Sequence, residues 1–409
     1  MPTIKPDRVL GDLYKLRTFG TYKTGVHRPT FSAEDVAARQ WFAERMTEAG
    51  LDAAIDGIGN LLGKSRAGGR KLLSGSHLES QNHAGWLDGP LGMVYALEAA
   101  RALREDPSCG DVGVDVIAFV DEEGHFGTFL GSRSFVGEVS EADIDAAKDR
   151  TRGTPMRAAL AQAGCAGRPR LQIDPKRYVG FFEAHIEQGR TLETAKLKIG
   201  VVTGLVGLWN YRITADGQQN HAGTTMMWER RDAGMAIMRL IAAIDRRFSE
   251  LKADRTVWTF GSVRFEPGEP SIIPGRAHAV LQFRDADLAV LERLEAALLD
   301  TVEQARREGP CTVTVKNARK SPPCPMDEGF QRAIEASAAR HAPGLALRMP
   351  SGAVHDAQIV AQVIPAAMMF VPSISGISHH WDENTSDDDI VLGAQVFVDA
   401  IADVLKAKP

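Results

Sequence analysis

The residues of this sequence best suited to chemistry are histidines and carboxylates that stand where short apolar runs end: His77, Asp88, the adjacent pair Glu122 and Glu123, His185 and His379. Imidazole nitrogen together with carboxylate oxygen suits zinc or a similar divalent ion, and a catalytic site of that kind keeps one coordination position open for water. Two ions sharing one carboxylate would clamp the attacking and leaving oxygens of a hydrolysis. Successive residues at a strand end face opposite sides, so one of Glu122 and Glu123 can bind metal while the other serves as a base. Taken singly, each residue has a plainer reading. A histidine at a strand end is usually a satisfied polar group, two adjacent glutamates are usually solvated charges, and Asp88 before Gly89-Pro90 is an ordinary turn residue. Competing motifs are missing: there is no GxSxG elbow, no HExxH and no P-loop, and GIGNLLG misses the dinucleotide fingerprint by one residue.

The elements that must position these residues follow from periodicity. Ser32, an acidic first turn and Val36, Trp41, Phe42 and Met46 at helical spacing predict a helix over 32–49 that stops before Gly50. The runs 71–74, 114–120, 179–182 and 366–371 read as buried strands with helical patterns between several of them, which points to an α/β sheet. They lead into GSHLES, DEEG, EAHIEQG and PSISGISHH, so polar groups collect where strands end. In open α/β sheets that edge is the ligand crevice. Between Trp209 and Cys324 the texture changes to alternating strands (209–215, 256–265, 278–284) and long helices (232–248, 288–307). This is read as a second, α+β domain inserted into the first, giving domains 1–208, 209–324 and 325–409.

The chain's 409 residues suffice for two or three domains. With 48 Lys+Arg against 53 Asp+Glu, a formal charge of −5 and no block of like charge, a nucleic-acid partner is not expected, and a small molecule is. Cys109, Cys165, Cys311 and Cys324 are far apart and form no CxxC pair, and no signal peptide or long apolar segment is seen. A cytoplasmic protein without disulfides or membrane span is the expectation.

The segments FSAEDVAARQWF, IGNLLG, GSHLES with GWLDGPLG, DEEG, EAHIEQG, NHAGTTM, IIPGRAHAVLQFRD, SGAVHDA and GISHHWDENTS, in this order, resemble the carbamoylase branch of the dinuclear-zinc peptidase and amidase superfamily. That branch holds N-carbamoyl-L-amino-acid hydrolases, β-ureidopropionases and allantoate amidohydrolases. The resemblance implies a mixed-sheet, aminopeptidase-like catalytic domain with an inserted dimerisation or lid domain. It implies two divalent ions, zinc before manganese, cobalt or nickel: one held by His77, Asp88 and His185, the other by the shared Asp88, Glu123 and His379. It makes Glu122 the general base, taking a proton from the water bridging the metals and passing it to the leaving nitrogen. His185 favours the amidase branch, because the exopeptidase branch usually has a carboxylate there.

By the same resemblance Asn220 and His221 reach the neighbouring subunit's site in a homodimer, where His221 stabilises the oxyanion. Arg284 grips the substrate carboxylate, Gln188 bonds the ureido or amide group, and His355 and Asp356 lie near the site, Asp356 without an assigned role. The sequence also departs from the family. Glu79 replaces a usual aspartate behind His77, Ser271 replaces an asparagine, EEGHFG lacks an arginine, and Met226 and Val354 replace a proline and a glycine. The implied activity is metal-dependent hydrolysis of a ureido or related N-acyl C–N bond of an N-substituted amino acid, with an exopeptidase or aminoacylase as the alternative.

Overall fold

The computed structural model of this chain describes residues 1–407. The chain divides into two compact units: Met1–Thr203 together with the chain from Met326 on, and Gly204–Pro325.

The first unit is built on a mixed sheet whose strands follow the order Asp52–Ile55, Leu61–Lys64, Gly113–Phe119, Lys71–His77, Tyr178–Ile186, Ala366–Val371 and Ile199–Leu205. The central strands, from Gly113–Phe119 to Ala366–Val371, are mutually parallel, and antiparallel strands flank them. Helices such as Pro90–Glu105 and Asp387–Lys406 contribute buried faces to the core, as parallel strands require. The helix expected near the start spans Ala33–Glu48, with Ser32 capping it by accepting from the Asp35 amide at 3.2 Å.

Two strands outrun their apolar runs. Lys71–His77 continues through Gly75-Ser76-His77, and Tyr178–Ile186 through Glu183-Ala184-His185. The tail of the first carries no bulk because none fits: a Cβ on Gly75 would lie 1.7 Å from the Ile117 carbonyl oxygen of the next strand. Hydrophobicity therefore underestimates these strands, and His77 and His185 belong to them instead of to the loops beyond.

The second unit is an antiparallel four-stranded sheet in the order Val257–Glu266, Arg276–Asp285, Gly207–Asp216 and Thr312–Ser321. The helices Ala233–Leu251 and Leu288–Glu308, capped by Asp232 and Asp287, supply the apolar faces that cover it. Its core centres on Phe283, whose ring lies 5.7 Å from Trp209, 5.8 Å from Tyr211 and 5.3 Å from Phe248. The alternate residues of the same strand, His278, Gln282 and Arg284, are only half-buried, the period-2 pattern of a one-sided sheet.

Candidate metal centre

His77 is the last residue of its strand and His185 the last but one of the parallel neighbour, so both imidazoles stand at the carboxyl edge of the sheet. Asp88 arrives on the loop into helix Pro90–Glu105. That loop passes so close to His77 that a Cβ on Gly89, which has φ +85°, would lie 2.5 Å from the imidazole ring. His77 Nε2 lies 3.4 Å and His185 Nε2 3.0 Å from Asp88 Oδ1. On the other side of the same carboxylate, His379 Nε2 lies 3.2 Å from Oδ2 and 3.8 Å from Glu123 Oε2. His77, Asp88 and His185 form one group with ligand atoms within 4.8 Å of one another, and Asp88, Glu123 and His379 form a second. All five residues are thus brought together, with Asp88 common to both groups.

The protons on the rings fit this arrangement. His77 Nδ1 faces the Glu79 carbonyl at 3.0 Å and His185 Nδ1 the Ile186 carbonyl at 2.9 Å. With Nδ1 of each ring engaged by a carbonyl, Nε2 is the nitrogen that a bound cation would meet. Lone pairs and carboxylate oxygens converging in this way, with the outer nitrogens engaged, make a donor set that fits two divalent cations. Burial opposes the charge on Asp88, but His185, His379 and His77 outweigh it and hold the carboxyl well below the usual range.

Glu122 and Glu123 do not end a strand. The strand stops at Phe119, and the two glutamates sit in a turn entered through Asp121 at φ +60°. Strand alternation is therefore not what separates them. The turn sends Glu122 Oε2 to 3.8 Å from His77 Nε2 and Glu123 towards His379, so the two carboxylates still part, with a different local cause. Burial pushes the Glu122 carboxyl well above its ordinary pKa, with Glu123, Asp356 and Asp88 adding to the rise and His77 opposing it. Gln188 and His379 also adopt φ of +58° and +54°, so the left-handed region recurs at this edge. Such conformations persist only where surrounding structure enforces them.

Glu79 supports the centre in an unexpected way. Its carboxylate is 3.9 Å from His77 Nδ1, beyond hydrogen-bond reach, and the backbone carbonyl orients the ring instead. The carboxylate accepts the Glu122 amide at 2.7 Å through Oε1 and the Arg39 guanidinium through Oε2. Arg39, only 3% exposed, bonds both Asp35 oxygens at 3.0 and 3.2 Å. The longer side chain thus ties the turn bearing Glu122 to helix Ala33–Glu48.

Residue-by-residue reading passed over several supports. Gln81 grips Glu123, its amide 3.2 Å from Oε1 and its Nε2 2.6 Å from Oε2. Glu383, buried and raised to about 7 by burial and then by Asp88, accepts the Leu87 and Asp88 amides at 3.1 and 3.0 Å and the Ser378 hydroxyl at 2.9 Å. It joins the Asp88 loop to the His379 loop. Glu383 lies in the motif GISHHWDENTS, but nothing in that segment marks it as the partner of a loop almost three hundred residues away.

Gln188 donates Nε2 to Asp88 Oδ2 at 2.9 Å, and its Oε1 has no partner among the described residues. His355 is packed behind the centre, its ring 4.5 Å from that of His185. Burial, helped by His185, drives its pKa well below the ordinary value, so the ring is neutral. Asp356 is fully buried beside it and begins a short helix.

Asn220, His221, Ser271 and Arg284 belong to the Gly204–Pro325 unit. Asn220–His221 pairs with Ile272–Ile273, distant in the chain, and the Ala222 amide donates to the Ser271 carbonyl at 2.9 Å, which brings Asn220, His221 and Ser271 into one exposed, hairpin-like pair of short strands. The Gly223 amide donates to His221 Nδ1 at 3.0 Å, leaving the neutral ring's proton on Nε2, outward and available as a donor. Arg284 stands apart from that hairpin on the strand Arg276–Asp285, its Nε donating to Gln282 Oε1 at 2.8 Å.

Comparison with known proteins shows the family. Residues 72–403 match the model of peptidase family M20/M25/M40. The chain is 32% identical over 402 residues to an N-carbamoyl-L-amino acid amidohydrolase of Geobacillus stearothermophilus, covering 96% of this chain and 97% of that protein. It is 30% identical to an allantoate amidohydrolase of Bacillus subtilis, covering 92% of each chain. Among solved structures, an amidase of the hydantoinase/carbamoylase family from Burkholderia phymatum superposes with a TM-score of 0.91 at 45% identity, over 99% of this chain and 98% of the other. An aminopeptidase from Bacillus cereus reaches 0.69 at 14% identity over 98% and 100%, a likeness of fold alone. With its shared carboxylate, its two ligand groups and full-length similarity to these amidohydrolases, the chain belongs to peptidase family M20/M25/M40, in the hydantoinase/carbamoylase branch of amidases.

Proposed function

We propose that this protein is a homodimeric, dizinc amidohydrolase that removes the carbamoyl group of an N-carbamoyl amino acid or a close ureido analogue. The observation that carries this reading is Asp88 shared between two histidine-containing groups with Glu122 beside them, in a chain whose full-length relatives bear carbamoyl and allantoate amidohydrolase names. The nitrogen-rich group His77–Asp88–His185 favours zinc over a harder ion. The unpaired state of Cys109, Cys165, Cys311 and Cys324 supports a cytoplasmic setting. No helix among the described residues is long and apolar enough to cross a membrane.

Divalent ions held by the two groups would polarise the scissile carbonyl and acidify the attacking water. Glu122 accepts the proton of that water and returns it to the leaving nitrogen, and its raised pKa suits an acid that must hold a proton between the two steps. Water thus contributes hydroxyl to the carbonyl carbon and hydrogen to nitrogen, and the C–N bond breaks. Gln188, with Oε1 unpartnered, accepts an N–H of the ureido group. Arg284 grips the α-carboxylate through two parallel hydrogen bonds, with Ser271 and Asn220 assisting. His221 of one protomer donates Nε2–H to the oxyanion formed in its partner. His355 acts from behind His185, as a neutral ring bounding the pocket.

Metal-reconstituted protein assayed against N-carbamoyl, N-formyl and N-acetyl amino acids and dipeptides tests the assignment. Ureido substrates are expected to lead by kcat/KM. Preferential cleavage of dipeptides or N-acetyl amino acids would shift the assignment to an exopeptidase or aminoacylase.

A further inference from the structure

Within the Gly204–Pro325 unit, a cavity of ≈ 550 Å³ opens along the helices Ala233–Leu251 and Leu288–Glu308. Four guanidinium-bearing residues line it: Arg230, Arg239, Arg246 and Arg247. Several exposed arginines elsewhere are paired with carboxylates, as in Arg66–Asp52, Arg157–Asp145, Arg276–Asp216 and Arg348–Glu335. Among the described residues Arg239, Arg246 and Arg247 have no carboxylate partner. The carboxylates that share the wall are already engaged: Asp232 caps its helix through the Met235 amide at 3.0 Å, and Glu308 accepts from Gln304 Nε2 at 2.7 Å. Four guanidinium groups against the two carboxylates of Asp232 and Glu308 leave this cavity with an excess of positive charge, in a chain of net charge −5, and a bound anion would neutralise it.

Arg230 links this cavity to the hairpin of Asn220 and His221. Its Nε donates to the Thr225 carbonyl at 3.0 Å and its Nη2 to the Ala222 carbonyl at 2.6 Å, bracketing the turn after His221. Nη1 takes part in neither bond. We propose that the cavity is a binding site for a small organic or inorganic dianion carrying carboxylate or phosphate oxygens, and that its occupation fixes Arg230 and thereby orders the His221 hairpin. The consequence for turnover rests on the role given above to His221; the binding itself does not.

The test uses metal-loaded full-length protein titrated calorimetrically with inorganic phosphate and, separately, with succinate. The wild type and an Arg239→Gln/Arg246→Gln double variant are compared, with amide exchange over residues 220–225 followed at saturation. Oxyanion binding at the metal centre is common to both proteins and serves as the internal control of folding. The wild type is expected to show a further binding event that the double variant weakens about tenfold or more, because two charge-assisted contacts are lost. Exchange over 220–225 is expected to slow in the wild type alone. Phosphate acting without succinate names a phosphate ligand, and the reverse a dicarboxylate. Identical titrations of both proteins with both anions overturn the site, and an arginine-dependent event that leaves exchange unchanged overturns the coupling. Because neither readout uses turnover, a failure of the ureidohydrolase assignment is distinguishable from a failure of this site.

Discussion

The metal centre and the His221 hairpin build functional geometry in opposite ways. In the first unit four of the five candidate ligands are held from behind: His77 and His185 by carbonyls, Glu123 by Gln81, and the Asp88 loop by Glu383. His77, Asp88, His185 and Glu123 are all buried. In the second unit Asn220 and His221 are exposed, and their hairpin is held by a short strand pairing and by Arg230. The first geometry is complete before substrate arrives, whereas the second is fixed at its base and open at its tip. Groups that need sub-ångström placement sit on strands and enforced turns, whereas His221, for which a role in a partner's site is proposed, sits on an exposed pair of short strands.

The largest break in this contrast comes from the shared carboxylate. Asp88→Asn leaves the fold's hydrogen bonds nearly intact but removes the charge common to both groups. Elemental analysis should find both ions lost and ureidohydrolase turnover at background, and chelation of the wild type should do the same reversibly. A variant that kept both ions and most of its activity would remove Asp88 from the centre of the site.

Glu122→Gln separates base from ligand. Turnover is expected to fall by about 10²–10⁴-fold, the usual worth of a positioned general acid–base, while metal content stays at the wild-type value. Loss of an ion in this variant would show that Glu122 and Glu123 have exchanged roles.

His221→Ala probes the open half of the comparison. Removing one oxyanion donor costs about 10²–10³-fold in kcat, here with metal content and thermal stability unchanged because the side chain is exposed. Mixing this variant with Glu122→Gln subunits should restore part of the activity if His221 serves the partner. Subunit exchange without recovery would confine His221 to its own protomer.

The same contrast decided what could be read from sequence. Three strands and both long helices of the second unit were legible to within three residues, because their cores follow plain period-2 and helical patterns, as in Ala277, Ala279, Leu281 and Phe283, whereas the mostly exposed fourth strand, Thr312–Ser321, was not read. The buried parallel strands were legible only where they are apolar, and Gly75-Ser76-His77 fell outside because packing there selects for smallness. The types and order of the ligands identified a metal centre. The turn at Glu122 escaped notice, since a positive φ at Asp121 leaves no mark in composition. Supports such as Gln81, Arg39 and Glu383 were also hidden. Each acts by touching a backbone amide or a carboxylate distant in the chain, a relation set by the fold and not by local spacing.

The smallest expected effect, and the finest discrimination, lies at Glu79. Its carboxylate ends a relay running from Asp35 through Arg39 to the Glu122 amide. In Glu79→Asp the shorter side chain cannot span both Arg39 and that amide, and in Arg39→Lys a single ammonium replaces the fork that serves both Asp35 and Glu79. Each variant keeps all five ligands and the His77–carbonyl contact, so ion content and KM are expected to stay at wild-type values while kcat falls about tenfold, the lower end of what supporting residues around metal sites contribute. Because both substitutions cut one relay, the double variant should be little worse than the worse single one. Two losses that multiply would instead mean that Arg39 and Glu79 act independently. A purely structural role would lower the melting temperature and spare kcat in the folded protein. That outcome would leave the position of the base fixed by its own turn, with helix Ala33–Glu48 a scaffold and nothing more.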